Sequence, residues 1–365
     1  MKQRIVWIDN ARALGMIAVF YGHIIEMLAG ESYSGFEYTQ FRFIYAFHMP
    51  LFFFLSGFLN KEKPISAGHL FLEKFYTLII PATFLSLLMI PLFMIKDMFL
   101  FQSFNPWKFA PRLVGLLTGQ PKLNWMTWFI YCLFSVELLH FFVSRWKAVP
   151  NWLKFIIFYL AGWLITWNLS TVVRLTYIPA NCWYIHEAVI AYSFFLLGMI
   201  VNKSGVCQRL SRFTVSLGMC FVFLVITVVT LNLNTGPFYF PQPAVIMSLS
   251  QHGHPFFFLL TAVAGIGFII TLSMLIPPNY VFNFIGQNTL VLLGLAGAFI
   301  YFGNGFLIKG LSLFPVEISK TTIAFIGTSI AMTVCVPVAL VINLLVPQLV
   351  GKPRKSGPLL PALMK

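Results

Sequence analysis

The chain has 365 residues, of which 59% are hydrophobic and only 9% charged, with 41 Phe and a formal net charge of +14. A soluble domain carries about a quarter charged residues, so this composition excludes one. The basic residues are scattered through short loops, which argues against a nucleic-acid-binding face. Cys132, Cys182, Cys207, Cys220 and Cys335 lie mostly in or beside apolar runs and lack metal-ligand spacing, so neither a metal site nor a disulfide framework is expected.

Apolar runs long enough to cross a hydrocarbon core of about 30 Å recur along the whole chain. They predict an all-α fold, a polytopic transmembrane bundle of about ten helices. The spans fall near residues 8–29, 41–59, 75–95, 125–143, 152–170, 183–202, 213–232, 256–276, 283–302 and 320–347. Turn-rich loops such as GQPKLN, NTGPFYFPQP and IPPN separate them. Asp9 and Arg12 interrupt the first apolar run and no small-residue cleavage site follows, so it reads as a retained span. Residues 1–350 form one integral membrane domain, and 351–365 a short basic tail.

With the N-terminus inside, one side of the bundle collects 15 Lys and Arg and the other 8, with Arg12 inside a span. The positive-inside rule then puts both termini in the cytoplasm. Segment 96–124 weakens the asymmetry, with Lys96, Lys108, Arg112 and Lys122 on the nominal outside, and an interfacial helix is expected around Pro106–Leu117.

Ionisable groups at membrane depth cost a few kcal/mol and default to a functional reading. In the first span Arg12 and His23 are eleven steps of about 100° apart, on one helix face and about 16 Å apart along the axis. Arg12 lies toward the cytoplasm and His23 in the outer half. The antiparallel second span puts Arg42 at the outer end, His48 near the depth of His23, and Ser56 near that of Arg12. A neutral imidazole suits general-base work on an alcohol, and Glu26, three residues after His23, is a candidate to hold its tautomer. Arg12, with Lys74, suits a phosphate-bearing donor from the cytoplasm. Bland readings stand beside these: Arg12 snorkelling to headgroups, His23 and His48 as helix-packing hydrogen bonders, Trp128 in an aromatic belt instead of a sugar platform, and His186 and Glu187 facing water at the outer rim.

The segment IDNARALGMIAVFYGH, with ten residues between Arg12 and His23, resembles the R-x10-H signature of the acyltransferase-3 membrane family. FIYAFHMPLFFFLSGFL is similar to that family's second-helix pattern, FLEKFYTLIIP to the opening of its third helix, TWFIYCL to its Trp-Phe element, and FIGQNTLVLL to its late Gly-x-Asn-Thr motif. The resemblance implies an integral enzyme of about ten helices moving an acyl group, usually acetyl from cytosolic acetyl-CoA, to a sugar hydroxyl of a surface glycan. It makes His23 the catalytic histidine and Arg12 the residue serving the CoA end. Two positions depart from the pattern: an arginine pair of the third helix is represented only by Lys74, and Ala296 stands near the place of a late histidine.

The expectation is a bacterial inner-membrane O-acetyltransferase most like the stand-alone sugar and exopolysaccharide enzymes, using acetyl-CoA as substrate with no tightly bound cofactor and no metal. His23, His48 and Glu26 are the catalytic candidates, and Arg12, Lys74 and Ser56 the donor-binding ones. Arg42, Trp128, His186 and Glu187 are candidates for a glycan or lipid-linked oligosaccharide acceptor. The bilayer is an expected partner, nucleic acid is not, and oligomeric state is left open. A secondary transporter or glycan flippase, and a non-catalytic export subunit, are the alternatives; no paired broken helices or repeats of the transporter kind are visible.

Overall fold

The computed structural model describes residues 5–29, 35–61, 65–101, 105–238, 243–306, 310 and 318–364. In chain order the helices are α1 (Val6–Ala29), α2 (Phe36–Tyr45), α3 (His48–Leu59), α4 (Ala67–Lys74), α5 (Ile80–Leu87), α6 (Met89–Phe101), α7 (Ala110–Leu117), α8 (Trp128–Val143), α9 (Asn151–Trp167), α10 (Leu169–Thr176), α11 (Ile185–Ser204), α12 (Val206–Leu210), α13 (Phe213–Leu233), α14 (Pro255–Leu275), α15 (Tyr280–Gln287), α16 (Thr289–Ala298) and α17 (Lys320–Leu345). Among the described residues nine helices are long and apolar enough to cross a membrane, or ten when α9 and α10, bent by 92°, count as one span. The chain is an all-α, multi-pass membrane protein, as its composition predicts.

Two expected spans are interrupted where proline requires it. In the second, Pro50 has no N–H for the Ala46 carbonyl, so the helix breaks at Ala46–Phe47 and restarts at His48. In the third, Pro81 leaves the Thr77 carbonyl without its usual donor, and Phe75–Ile79 widens into a π-helical turn between α4 and α5. A further break, at Asn288, separates α15 from α16 inside the expected ninth span.

The chain divides into two compact units, the first built from Met1–Lys63, Phe142–Ala180 and His186–Thr289. Here α1 packs against α2, α3, α14 and α15, and α13 against α14. The antiparallel register of α1 against α2 and α3 is fixed at three levels. Trp7 meets Phe58 edge-on at 5.1 Å, Gly15 abuts Phe52, and Gly22 abuts Tyr45. Asn10 donates from Nδ2 to the carbonyls of Ser273 (3.1 Å) and Ile276 (2.9 Å), satisfying orphan acceptors at the end of α14. Helices α3 and α11 meet backbone to backbone, because a Cβ on Gly198 would lie 2.0 Å from Phe54 O and one on Gly57 1.9 Å from Phe195 O.

The second unit comprises Pro64–Phe141, Asn181–Ile185 and Leu290–Lys365. The helix expected near Pro106–Leu117 is present as a 3₁₀ turn, Pro106–Phe109, followed by α7. It packs Phe109 and Leu116, with Leu123, onto Ile90, Phe93 and Met94 of α6. Three of the basic residues that weakened the charge asymmetry have partners here. Lys108 pairs with Asp97, Arg112 lies 5.1 Å from the Phe93 ring centre, and Lys96 lies 5.8 Å from that of Phe302.

Replacing Gly198 with Ala inserts a methyl group where backbone already touches backbone. Overpacking of this kind costs about 1–3 kcal/mol. The unfolding temperature of the detergent-solubilised protein should drop for G198A and stay unchanged for G218A, where an added Cβ meets nothing within 4 Å.

Candidate active site

His23 sits near the C-terminal end of α1, buried, with Glu26 one turn further on the same face. His23 Nδ1 lies 3.0 Å from Glu26 Oε2. The residue facing them is Tyr45, the last of α2, whose hydroxyl donates to Glu26 Oε2 at 2.6 Å and lies 2.5 Å from His23 Nδ1. An ionised carboxylate only accepts, so His23 bonds to it by donating from Nδ1. Nε2 is then left with the lone pair, the form a general base requires.

The break before Pro50 also sets the second imidazole. His48 opens α3 with Nδ1 2.9 Å from Ile44 O, so this ring too carries its proton on Nδ1. The Tyr45 ring stands between the two histidines, 5.4 Å from that of His23 and 4.8 Å from that of His48. The register thus brings Tyr45 into direct contact with His23, with His48 packed against the Tyr45 ring. Tyr45 was missed in the sequence because an aromatic residue in a Phe-rich helix carries no distinguishing pattern.

At the other end of α1, Arg12 is half-buried, and Asp9, one turn earlier, lies within electrostatic reach of its guanidinium. The late FIGQNT motif closes on this point: a Cβ on Gly286 would lie 2.2 Å from Asp9 O, so α15 lies directly on the backbone of α1. Ser56, opposite the start of α1, bonds back to Phe52 O at 2.8 Å. In the second unit, Lys74 Nζ lies 2.8 Å from Glu137 Oε1, a partner the sequence did not reveal.

The remaining candidates fall into two groups. Trp128 is buried in the second unit against Tyr184, 5.5 Å between centroids, while Trp183 meets Tyr131 edge-on and Phe134 at a tilt. In the first unit, Arg42 donates from Nη2 to Leu231 O at 2.8 Å and lies over the Tyr38 ring, capping the end of α13. His186 and Glu187 open α11 and are fully buried instead of rim-exposed, at 4% and 0% accessibility. Ser250 donates to Glu187 Oε1 at 2.8 Å, and the loop that carries Ser250 buries Gln251 and His252 as well. Glu187 Oε2, Gln251 Oε1 and His186 Nδ1 are buried without a hydrogen-bond partner. Neither ring nitrogen of His252 makes a bond of normal geometry, although the Ser250 backbone is a polar neighbour. Such buried polar atoms are rare in native structures. Among the described residues no group of three or more His, Cys, Asp or Glu is placed to hold a metal ion.

The chain is thus a multi-pass helical protein with a buried imidazole held against a carboxylate and a phenol hydroxyl. The model of the acyltransferase-3 family, described as an acyltransferase domain, matches residues 5–342. The chain belongs to that family and is a membrane acyltransferase. No curated protein and no solved structure gives a match.

Tyr45→Phe removes the hydroxyl that Glu26 and His23 share while keeping the ring. One charge-assisted bond is worth about 1.5 kcal/mol or more, so turnover should fall about tenfold or further at unchanged folding. Thioester consumption by purified protein checks this. Burial holds His252 neutral, with its pKa pushed down to about 3. The unfolded chain, with its histidine near 6.5, binds the proton first as the pH falls. Stability fully present above pH 6.5 should therefore decline toward pH 3, by about 2 kcal/mol at pH 5. Unfolding temperatures across that range should show a shallower decline for His252→Gln.

Proposed function

We propose that the protein is a bacterial inner-membrane O-acetyltransferase. It moves acetyl from cytosolic acetyl-CoA to a sugar hydroxyl of a cell-surface glycan, an exopolysaccharide or its lipid-linked precursor. The observation that carries this reading is the Glu26–Tyr45–His23 arrangement, because it leaves Nε2 as a proton acceptor.

The acceptor oxygen bonds to the acetyl carbonyl carbon as its proton passes to His23 Nε2. Glu26 and Tyr45 stabilise the imidazolium so formed. The tetrahedral adduct expels the CoA sulfur, which takes the proton from His23, giving an ester and a free thiol. Arg12 serves the phosphate end of the donor, about 16 Å along α1 from His23. An extended pantetheine arm bridges such a distance, so a direct transfer is compatible with one continuous helix. The buried set of His186, Glu187, Ser250, Gln251 and His252 supplies polar atoms suited to the acceptor's hydroxyl groups.

His23→Ala should cut acetyl-CoA consumption by about a thousandfold, the range for loss of a general base. Surface glycan from a strain carrying that variant should lack ester-linked acetate by mass spectrometry. Full acetylation with H23A in place would overturn the assignment, and a purified wild-type protein inert toward thioesters would favour a transporter or export subunit.

A further inference from the structure

The basic C-terminal tail is folded, and its fold belongs to the second unit. Gln348 is buried and donates from Nε2 to Leu360 O at 2.8 Å. Leu359 N bonds to Leu345 O, and Leu363 N to Pro353 O at 2.8 Å. Ser356 Oγ accepts from Ala362 N. A chain reversed on itself in this way has a fixed place for its charges.

Those charges are Lys352, Arg354 and Lys355. A turn closed by Lys355 N to Lys352 O, 2.9 Å, holds the two lysines together. Lys352 donates to Asn343 Oδ1 at 2.5 Å, and Arg354 and Lys355 are exposed. No Asp or Glu follows Glu317 in the sequence, so the side chains of the tail and α17 bring no carboxylate. Burial first, and the charge of Lys355 second, pull the Lys352 ammonium below the ordinary lysine value. Like charges gathered on one turn raise the local concentration of anions.

The position is also specific. Gly351, with φ +89°, roots the tail against the π-helical turn, where a Cβ on it would lie 3.5 Å from Thr77 O and 3.7 Å from a Leu290 methyl. Thr77 O is the carbonyl that Pro81 deprives of a donor, and Lys74 lies one turn before it. The bland alternative is that Lys352 merely offsets the negative end of α17. That accounts for Lys352 but not for Arg354 and Lys355, which lie beyond the helix end.

We propose that Lys352, Arg354 and Lys355 form a phosphate-binding site at the root of the tail. Its ligand is a phosphate ester, either the phosphates of the acyl donor CoA or the headgroup of an anionic phospholipid. The first source rests on the donor reading given above, and the second does not. Arg354 supplies the planar fork and the lysines point charges, the combination suited to phosphate oxygens.

The test uses the full chain, wild type, R354Q/K355Q and R354E/K355E, each checked for an unchanged unfolding temperature. Lys352 is kept because it also bonds Asn343. In phosphatidylcholine nanodiscs, calorimetric titration with CoA should give a Kd about tenfold weaker for R354E/K355E, the loss of about one charge-assisted bond, with dephospho-CoA less affected. Selective retention of phosphatidylglycerol, read by native mass spectrometry after purification from mixed vesicles, is the second arm. Weakened CoA binding with unchanged lipid retention identifies the donor as the ligand; lost lipid retention with unchanged CoA binding identifies the headgroup. Wild-type values in both arms would overturn the site and leave the tail's charges to α17. Wild-type protein that binds no CoA counts against the donor reading alone, and the lipid arm still decides this one.

Discussion

The candidate site depends on one oxygen atom. Glu26 Oε2 accepts from both the Tyr45 hydroxyl and the His23 ring, and that shared acceptor ties the two residues together and sets the tautomer that the proposed base needs. A carboxylate at the end of a membrane helix is costly unless it is bonded. Here the bonds that make it tolerable also orient the imidazole, so one set of contacts stabilises the helix pair and prepares the chemistry.

Proline breaks the helix beside those contacts. Before Pro50 the chain turns at Ala46–Phe47, so that Tyr45 closes α2 and His48 opens α3. The π-helical turn imposed by Pro81 acts similarly in the second unit, freeing the Thr77 carbonyl beside the root of the tail. Backbone irregularity in a membrane bundle is tolerated only where protein covers it. In both places it is packed against chain.

Much of this was legible in the sequence, for identifiable reasons. Ten apolar runs announce ten spans because the bilayer sets their length. The pair Arg12 and His23 is legible because charge at membrane depth is rare, and Glu26 because helical spacing alone puts it beside His23. Tyr45 was not legible, since its role comes from the register between two helices, which side-chain pattern does not encode. Glu137, the partner of Lys74, and Ser250, the partner of Glu187, are 63 residues distant from theirs in sequence and meet only through tertiary packing. The pairings made by segment 96–124 were hidden from the charge count for a related reason. It treats loop lysines as free, whereas Lys108 answers Asp97, and Lys96 and Arg112 lie over aromatic rings.

The most direct test of the central claim is the protonation of His23 itself. Nitrogen-15 spectra of the histidine-labelled protein, assigned by difference from His23→Gln, report which ring nitrogen carries the proton. The arrangement predicts a protonated Nδ1 and a bare Nε2 at neutral pH, with the balance shifting when Glu26 is replaced by Gln. A bare Nδ1, or a tautomer indifferent to Glu26, would contradict it.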